Sequence, residues 1–355
     1  MDTHADEVAV DAGVHKSLPA HLYTDDAVFE REMAAIFATS WQLARHQSQV
    51  AEKGDFIAVD VAGERIALRR GDDGELRAFY NFCIHRGHTL LEGSGNRGTV
   101  VCPYHAWCYD THGRLKSVPN AKHIPKFQVD DDGLRRVSLE VFQGLIFVNL
   151  DPDAAPLAAG LVAMADEIRD YLPNLPSCHF AHRTKALLKA NWKIVIENFS
   201  ECYHCHIVHK TFTEGVIKPE AYRIMARGDS HLHCALSQSG DTNDTAADQA
   251  AKTDIFAAWY LWPLTAVQVY PGGVGMTFRW IPLVPEWTKV EVDWWLTAPT
   301  PKPSEQALID QHEATTFAED IPLVESVQRN QHSRGFANGL IMVDAPRGNM
   351  SEHGV

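Results

Sequence analysis

Two short motifs constrain this 355-residue chain more than anything else in it. One residue separates Cys83 from His85, two separate Cys102 from His105, and sixteen lie between the pairs. Each pair sits in a loop after a predicted strand, within NFCIHRGHTLLEGSGNRGTVVCPYHAW, so two loops can clasp one metal centre. Two thiolates and two imidazoles suit structural zinc, which is tetrahedral and accepts such a set. They also suit a [2Fe–2S] cluster with two cysteines on one iron and two histidines on the other. Zinc fingers usually place cysteine beside cysteine and histidine beside histidine. Here each loop supplies one of each, as a two-iron centre requires. Gly87 and Pro103 fit tight loops whose backbone N–H groups turn toward the sulfides, where hydrogen bonds tune the potential. Cys108, just beyond, reads as a small packed residue rather than a ligand.

The length exceeds what one hydrophobic core usually serves, so two domains are expected. The net charge of −14 argues against nucleic acid and against an anionic membrane surface as partner. No stretch approaches the roughly 18 apolar residues of a membrane helix. The acidic start MDTHADEVAVDAG lacks a signal pattern, which places the protein in the cytoplasm. Residues 1–15 read as a flexible leader. Seven cysteines in such a protein suggest free thiols and metal ligands rather than a disulfide framework.

Along the chain, Val28, Met33, Ile36 and Phe37 recur at helical spacing and predict a helix over Thr24–Ala44. FIAVDVAGERIALRR predicts two strands with a turn at Ala62-Gly63. Short strands over Glu75–Asn81, Gly98–Cys102, Gly113–Lys116 and Gly144–Asn149 complete an all-β region. Helices are predicted over Leu157–Tyr171, Ala190–Val208 and Ser304–Asn330, a long polar loop over 238–254, and an aromatic-rich β region over Ala258–Thr297. The fold class is α+β. The expected division is a leader 1–15, an N-terminal helix 16–40, an all-β metal domain 41–155 and an α+β domain 156–355.

A second cluster lies in NWKIVIENFSECYHCHIVHKTF. Non-haem Fe(II) oxygenases bind iron with two histidines and one carboxylate on one face and leave the other positions open. His204 and His209 are candidates, but a five-residue offset is about 140° on an ideal helix, so convergence requires the helix to end or distort near His206–Val208. Cys202 and Cys205 could be half a zinc site, but no second half follows. A downstream carboxylate is needed, and FAEDIPLVESVQRN offers Glu319, Asp320 and Glu325; the residues alone do not choose among them.

C-x-H-R-G followed by C-P-Y-H-x-W resembles the Rieske motif, and N-W-K-x₃-E-N-x₂-E-x-Y-H-x₄-H looks like the iron-binding helix of Rieske oxygenase α subunits. The resemblance implies an all-β Rieske domain and a helix-grip catalytic domain built on an antiparallel sheet. It implies that Cys83, His85, Cys102 and His105 hold the [2Fe–2S] cluster and that His204, His209 and Asp320 hold a mononuclear Fe(II). Glu201 takes the place of the acidic residue that links an iron-ligand histidine to a cluster histidine of a neighbouring subunit. A homotrimer, O₂ as co-substrate, and NAD(P)H electrons from a separate flavin/iron-sulfur reductase are implied as well. The E-C-Y-H-C run and the tail SRGFANGLIMVDAPRGNMSEHGV are similar to the branch acting on choline, glycine betaine, carnitine and proline betaine. That implies a monooxygenase whose hydroxylation leads to N-demethylation or C–N cleavage. Aromatic faces recognise quaternary ammonium groups through cation–π attraction. Phe199, Trp259 and Phe278 are the substrate candidates, with Tyr260, Trp262 and Trp280 behind them. The rival readings are an aromatic ring-hydroxylating dioxygenase, a Rieske electron carrier, and a zinc-stabilised binding module.

Overall fold

The computed structural model describes residues 13–124, 133–161, 164–227, 230–238, 254–343, 352 and 355. The expected loop 238–254 falls almost wholly outside them, as do most of the leader and much of the tail. The chain divides into two compact units, Met33–Leu157 and Met1–Glu32 with Ala158–Val355. None of the helices among the described residues is long and apolar enough to cross a membrane.

The unit Met33–Leu157 is built on a seven-stranded antiparallel sheet. Its strand order is Gln42–His46, Leu145–Asn149, Arg136–Phe142, Leu76–Tyr80, Glu64–Arg70, Asp55–Val61 and Ser94–Asn96. The hairpin turn falls at Ala62-Gly63, where both residues have positive φ, 48° and 79°, the twist a two-residue hairpin needs. A second sheet of Val100–Val101, Cys108–Tyr109 and Leu115–Ser117 carries the second Cys/His loop between its first two strands. Phe79, Leu90, Leu91, Val100, Tyr109 and Leu115 form one core around Cys83 and Cys102.

The other unit holds a second seven-stranded antiparallel sheet, ordered His179–Leu188, Trp287–Leu296, Val274–Val284, Thr265–Tyr270, Ile255–Leu261, Ser230–Leu236 and Arg223–Arg227. Its helices are α1 (Asp26–Glu32), α3 (Ala165–Tyr171), α4 (Trp192–Phe199), α5 (Cys205–Val208), α6 (Lys210–Gly215), α7 (Pro303–His312) and α8 (Ala318–Asn330); α2 (Leu157–Leu161) begins at the boundary between the units. Helix α4 packs on the strands Val274–Val284 and Trp287–Leu296, and α8 on His179–Leu188. The register sets one face of the sheet toward these helices: His231, His233, Tyr260, Gln268, Met276, Phe278, Trp280 and Trp294 share it. On the opposite face α3 is seated. Gly275 has no side chain there, and a Cβ would stand 3.2 Å from the Leu172 side chain.

The structure corrects several expected elements. The helix over Thr24–Ala44 stops early: α1 passes into a π turn, Met33–Phe37, and Gln42–His46 is a fully buried strand. Thr39 donates its hydroxyl to the Ala35 carbonyl at 2.8 Å, competing with helix continuation. The Leu157–Tyr171 helix is two, α2 and α3. The terminal helical stretch is interrupted by a π turn at Glu313–Phe317, just before Pro322, whose ring removes one bond from the ladder. The strands His179–Leu188, Arg223–Arg227 and Ser230–Leu236 were not anticipated.

Candidate metal centres

The two Cys/His loops are near copies of each other. Cys83 N–H donates to the His88 carbonyl and Gly87 N–H to that of Cys83; Cys102 N–H donates to the Trp107 carbonyl and Ala106 N–H to that of Cys102. The fourth residue after each cysteine has positive φ, Gly87 at 71° and Ala106 at 55°, which turns each chain back on itself. Cys83 and Cys102 are buried free thiols, whereas His85 and His105 are exposed. The imidazoles meet edge-on with ring centroids 4.5 Å apart, and Trp107 stacks on His85 at 4.8 Å. Burial pushes the Cys83 thiol up, with Cys102 beside it. The Tyr109 hydroxyl accepts from Ile84 N–H at 3.2 Å, so its own proton is free for the Cys83 sulfur at 3.1 Å. Sulfur inside and imidazole outside, from two matching loops, fit a cluster with distinguishable irons; they also give electrons an exposed edge.

In the other unit the expected helix Ala190–Val208 breaks twice, and the breaks bring the histidines together. Asn191 caps α4, its side chain accepting from Lys193 N–H at 3.0 Å. After Phe199 the Glu201 carboxylate accepts from the N–H groups of Tyr203 and His204, which starts a separate turn, α5. His204 is the N-cap of that turn and His209 its C-cap, with non-helical φ and ψ of −99° and 61°. The distortion therefore lies at Ser200–His204 and at His209, on either side of the expected His206–Val208. His204 Nε2 and His209 Nε2 are 3.1 Å apart, and Asp320 Oδ1 lies 3.4 Å from the first and 3.0 Å from the second. Imidazole nitrogen binds a divalent first-row ion at about 2.1 Å, so donors at right angles stand about 3.0 Å apart. The triangle has those dimensions.

Each imidazole is held from behind. His204 Nδ1 meets Glu201 Oε1, and His209 Nδ1 lies 2.8 Å from Glu319 Oε2. Both Nδ1–H groups donate to carboxylates, so both Nε2 atoms and a carboxylate oxygen point at one spot, an arrangement relieved by positive charge there, a proton or a metal ion. Burial opposes charge on His204, but Asp320 and Glu201 outweigh it and push its pKa up to about 10. His209 is raised by the same balance, Asp320 and Glu319 overcoming burial. Burial pushes Asp320 up, yet both histidines hold it below the usual carboxylate range. Of the three acidic candidates, Asp320 joins the triangle and Glu319 supports it, while Glu325 accepts from Lys189 N–H at 3.1 Å, elsewhere on α8. Sequence reasoning missed the support by Glu319; the need of His209 Nδ1 for an acceptor was the available signal.

Cys202 and Cys205 are joined in a disulfide, against the expectation of free thiols. The Cys205 sulfur lies near both histidines but, so paired, is no thiolate donor. The remaining described cysteines are free.

Phe199, Phe278 and Trp280 pack together beside this site, with Phe199 5.3 Å from Phe278 and 4.9 Å from Trp280. Trp259 does not join them. The register places it on the opposite face, where its indole donates to Glu167 at 3.1 Å and meets Tyr171 edge-on at 5.4 Å. Its expected place among the substrate candidates is corrected accordingly: strand alternation decides the face, and a run such as FAAWYLW does not show which parity faces the helices. Trp262 is partly exposed and packs on Trp192, also away from the cluster.

Residues 40–128 match the Rieske [2Fe-2S] domain family, and residues 175–355 match the ring hydroxylating alpha subunit (catalytic domain) family. The chain is 34% identical over 345 residues to the carnitine monooxygenase oxygenase subunit of Escherichia coli (strain K12), covering 96% of this chain and 91% of that one. It is 28% identical to the glycine betaine monooxygenase oxygenase subunit of Pseudomonas aeruginosa (strain UCBPP-PA14), over 74% of this chain and 56% of that one. The crystal structure of a quaternary ammonium Rieske monooxygenase in complex with substrate L-carnitine superposes with a TM-score of 0.87 at 33% identity, covering 96% and 93% of the two chains. Naphthalene 1,2-dioxygenase shares the fold, with a TM-score of 0.76 at 22% identity. The chain belongs to the Rieske non-haem iron oxygenases, as an oxygenase subunit with a Rieske domain and a ring-hydroxylating-type catalytic domain.

Proposed function

We propose that this chain is the oxygenase component of a two-component monooxygenase that hydroxylates a quaternary ammonium compound of the carnitine or betaine type. In this reading the product breaks down by N-demethylation or C–N cleavage. A separate flavin/iron-sulfur reductase passes on NAD(P)H electrons, and the working form is a cytoplasmic homotrimer. The observation that carries the reading is the compact donor triangle of His204, His209 and Asp320 beside an aromatic cluster, in a chain so similar to carnitine monooxygenase.

Cys83, His85, Cys102 and His105 would hold the cluster, and His204, His209 and Asp320 the iron. When bound, the cluster supplies single electrons and the iron supplies activation of O₂. Glu201 and Glu319 fix both imidazoles in the Nδ1–H tautomer, so that both Nε2 lone pairs stay turned to the metal. Glu201 also offers the carboxylate through which a cluster histidine of a neighbouring subunit would be linked to His204. Phe199, Phe278 and Trp280 line the substrate side; their faces attract a trimethylammonium group and keep water away from it.

The electron-carrier reading needs only the first domain, and nothing specific favours a ring dioxygenase. The test is turnover: the iron-loaded protein with a matched reductase, O₂ and either L-carnitine, γ-butyrobetaine, glycine betaine or choline. Substrate-dependent O₂ uptake with release of an amine or an aldehyde is expected for at least one. Uptake with naphthalene or biphenyl and with none of the four would overturn the substrate class.

A further inference from the structure

On the helix-facing side of the catalytic sheet, His231 and His233 stand side by side on one strand, ring centroids 4.8 Å apart. They are 5% and 2% exposed, and the Nε2 atom of each is buried with no hydrogen-bond partner among the described residues. An unsatisfied buried polar group costs about 1–3 kcal/mol, and two on neighbouring positions of one strand face mark a place where a ligand supplies the partner. The Tyr222 hydroxyl, itself buried, reaches His233 Nδ1 at 2.7 Å. With the phenol as the donor in this bond, the imidazole proton sits on Nε2 and that nitrogen is free to donate, the tautomer on which the subsite depends. Burial holds both imidazoles neutral, His231 down to about 3 and His233 well below its usual value.

The surroundings identify the other half of the ligand. His233 lies 5.9 Å from Phe199, which meets Phe278 and Trp280; His231 stacks on Tyr260 at 4.9 Å, and Tyr260 in turn is 6.3 Å from Trp280. Donor nitrogens thus border an aromatic wall. The field of Glu201 acts on Tyr222, so this corner belongs to the neighbourhood of the metal triangle.

Resting on the quaternary ammonium reading above, we propose that His233, oriented by Tyr222, and His231 form a carboxylate-reading subsite. They donate to the carboxylate of a zwitterionic substrate while its ammonium head lies on the Phe199–Phe278–Trp280 wall. The physical reason is charge balance. Two neutral imidazoles add no charge, and a zwitterion brings none in net, so neither end is buried uncompensated. A cation without a carboxylate, such as choline, leaves the donors unpaired. The subsite therefore selects betaines and carnitine-like acids over amino alcohols, and His233 is a specificity-determining residue.

The test is calorimetric binding to the iron- and cluster-loaded protein of γ-butyrobetaine and of its methyl ester, which keeps the ammonium and loses the carboxylate charge. In the wild type the acid is expected to bind about 10–100-fold more tightly than the ester. His233→Phe is expected to bring the ratio near unity, the acid losing far more affinity than the ester. Tyr222→Phe keeps the imidazole but frees its tautomer, and is expected to lower the ratio several-fold; it decides the matter where His233→Phe does not fold or load iron. An unchanged ratio in the folded, loaded variants would overturn the subsite. A wild type that binds neither compound would overturn the quaternary ammonium reading, and one that binds both equally would overturn the subsite alone.

Discussion

At the scale of single residues, three donor atoms within 3.0–3.4 Å of one another cannot lose one member and keep an ion well. Asp320→Ala is expected to abolish the mononuclear iron while leaving the visible spectrum of the cluster intact; iron analysis with absorption checks it. Glu319→Gln keeps the triangle but weakens the hold on His209 Nδ1, and is expected to cost roughly 10–100-fold in iron affinity. Glu201→Gln is expected to retain both metals and to lose turnover; normal turnover would contradict its linking role. The sequence shows His204 and His209 as an unusual pair, but an ideal helix keeps them about 140° apart. What joins them is the Glu201 carboxylate capping the turn after α4, a side-chain-to-backbone contact that no periodicity records. The choice of Asp320 over Glu319 came from family likeness, because neighbouring carboxylates at a helix start are equivalent until the direction of each side chain is fixed.

Elements were legible where their pattern was local. The hairpin at Ala62-Gly63 and the two Cys/His loops follow from nearby residues and stand where the sequence puts them. The strands His179–Leu188 and Ser230–Leu236 did not show, because Thr184, Ser230, His231 and His233 take buried positions and leave only Leu188, Leu232 and Ala235 as buried aliphatic residues, too few for an apolar alternation. Their polarity is matched across strands. Arg183 pairs with Asp293, and Arg279 Nη1 lies 2.9 Å from Glu291 Oε2, all four within one register of the sheet. Asp293 and Glu291 are 3% and 2% exposed. Asp293→Ala leaves the largely buried Arg183 guanidinium with only the more distant Glu291, 3.7 Å away, and is expected to lower the denaturant midpoint. In the Rieske domain, Tyr109→Phe removes the O–H donor to the Cys83 sulfur. The cluster is expected to persist at a lower reduction potential, since the donor favours the more negative reduced form; an unmoved potential in voltammetry would contradict that bond.

At the scale of the whole molecule, the catalytic unit buries several histidines so deeply that burial outweighs any counter-charge, the fields of Asp320 and Glu313 on His312 included. Burial lowers His231 to about 3 and His312 to about 4, while in the unfolded chain each keeps its ordinary value near 6.5. Below pH 6.5 the unfolded state therefore binds protons that the folded state refuses, so stability falls with pH from about 6.5 down to the folded values. The loss approaches roughly 1.4 kcal/mol per histidine per pH unit. Melting temperatures of the metal-loaded protein, whose ligand imidazoles do not titrate freely, should fall steadily from pH 7 to pH 5; a flat profile would mean that these histidines are solvated. The two-part architecture was legible in the sequence because a metal motif seeds each part. Where each strand of the second sheet runs was not, being a matter of non-local pairing.

A chain with both motifs would hold a two-iron cluster and a separate single iron. The most direct measurement is metal analysis of the anaerobically prepared protein, together with visible and EPR spectra after dithionite reduction. About three irons per chain with the low-average-g signal of a histidine-ligated [2Fe–2S] cluster is the expected result. Zinc without visible bands would contradict the account entirely. Two irons with the cluster signal, unchanged after Fe(II) reconstitution, would leave the Cys83–His105 site standing and contradict the triangle of His204, His209 and Asp320.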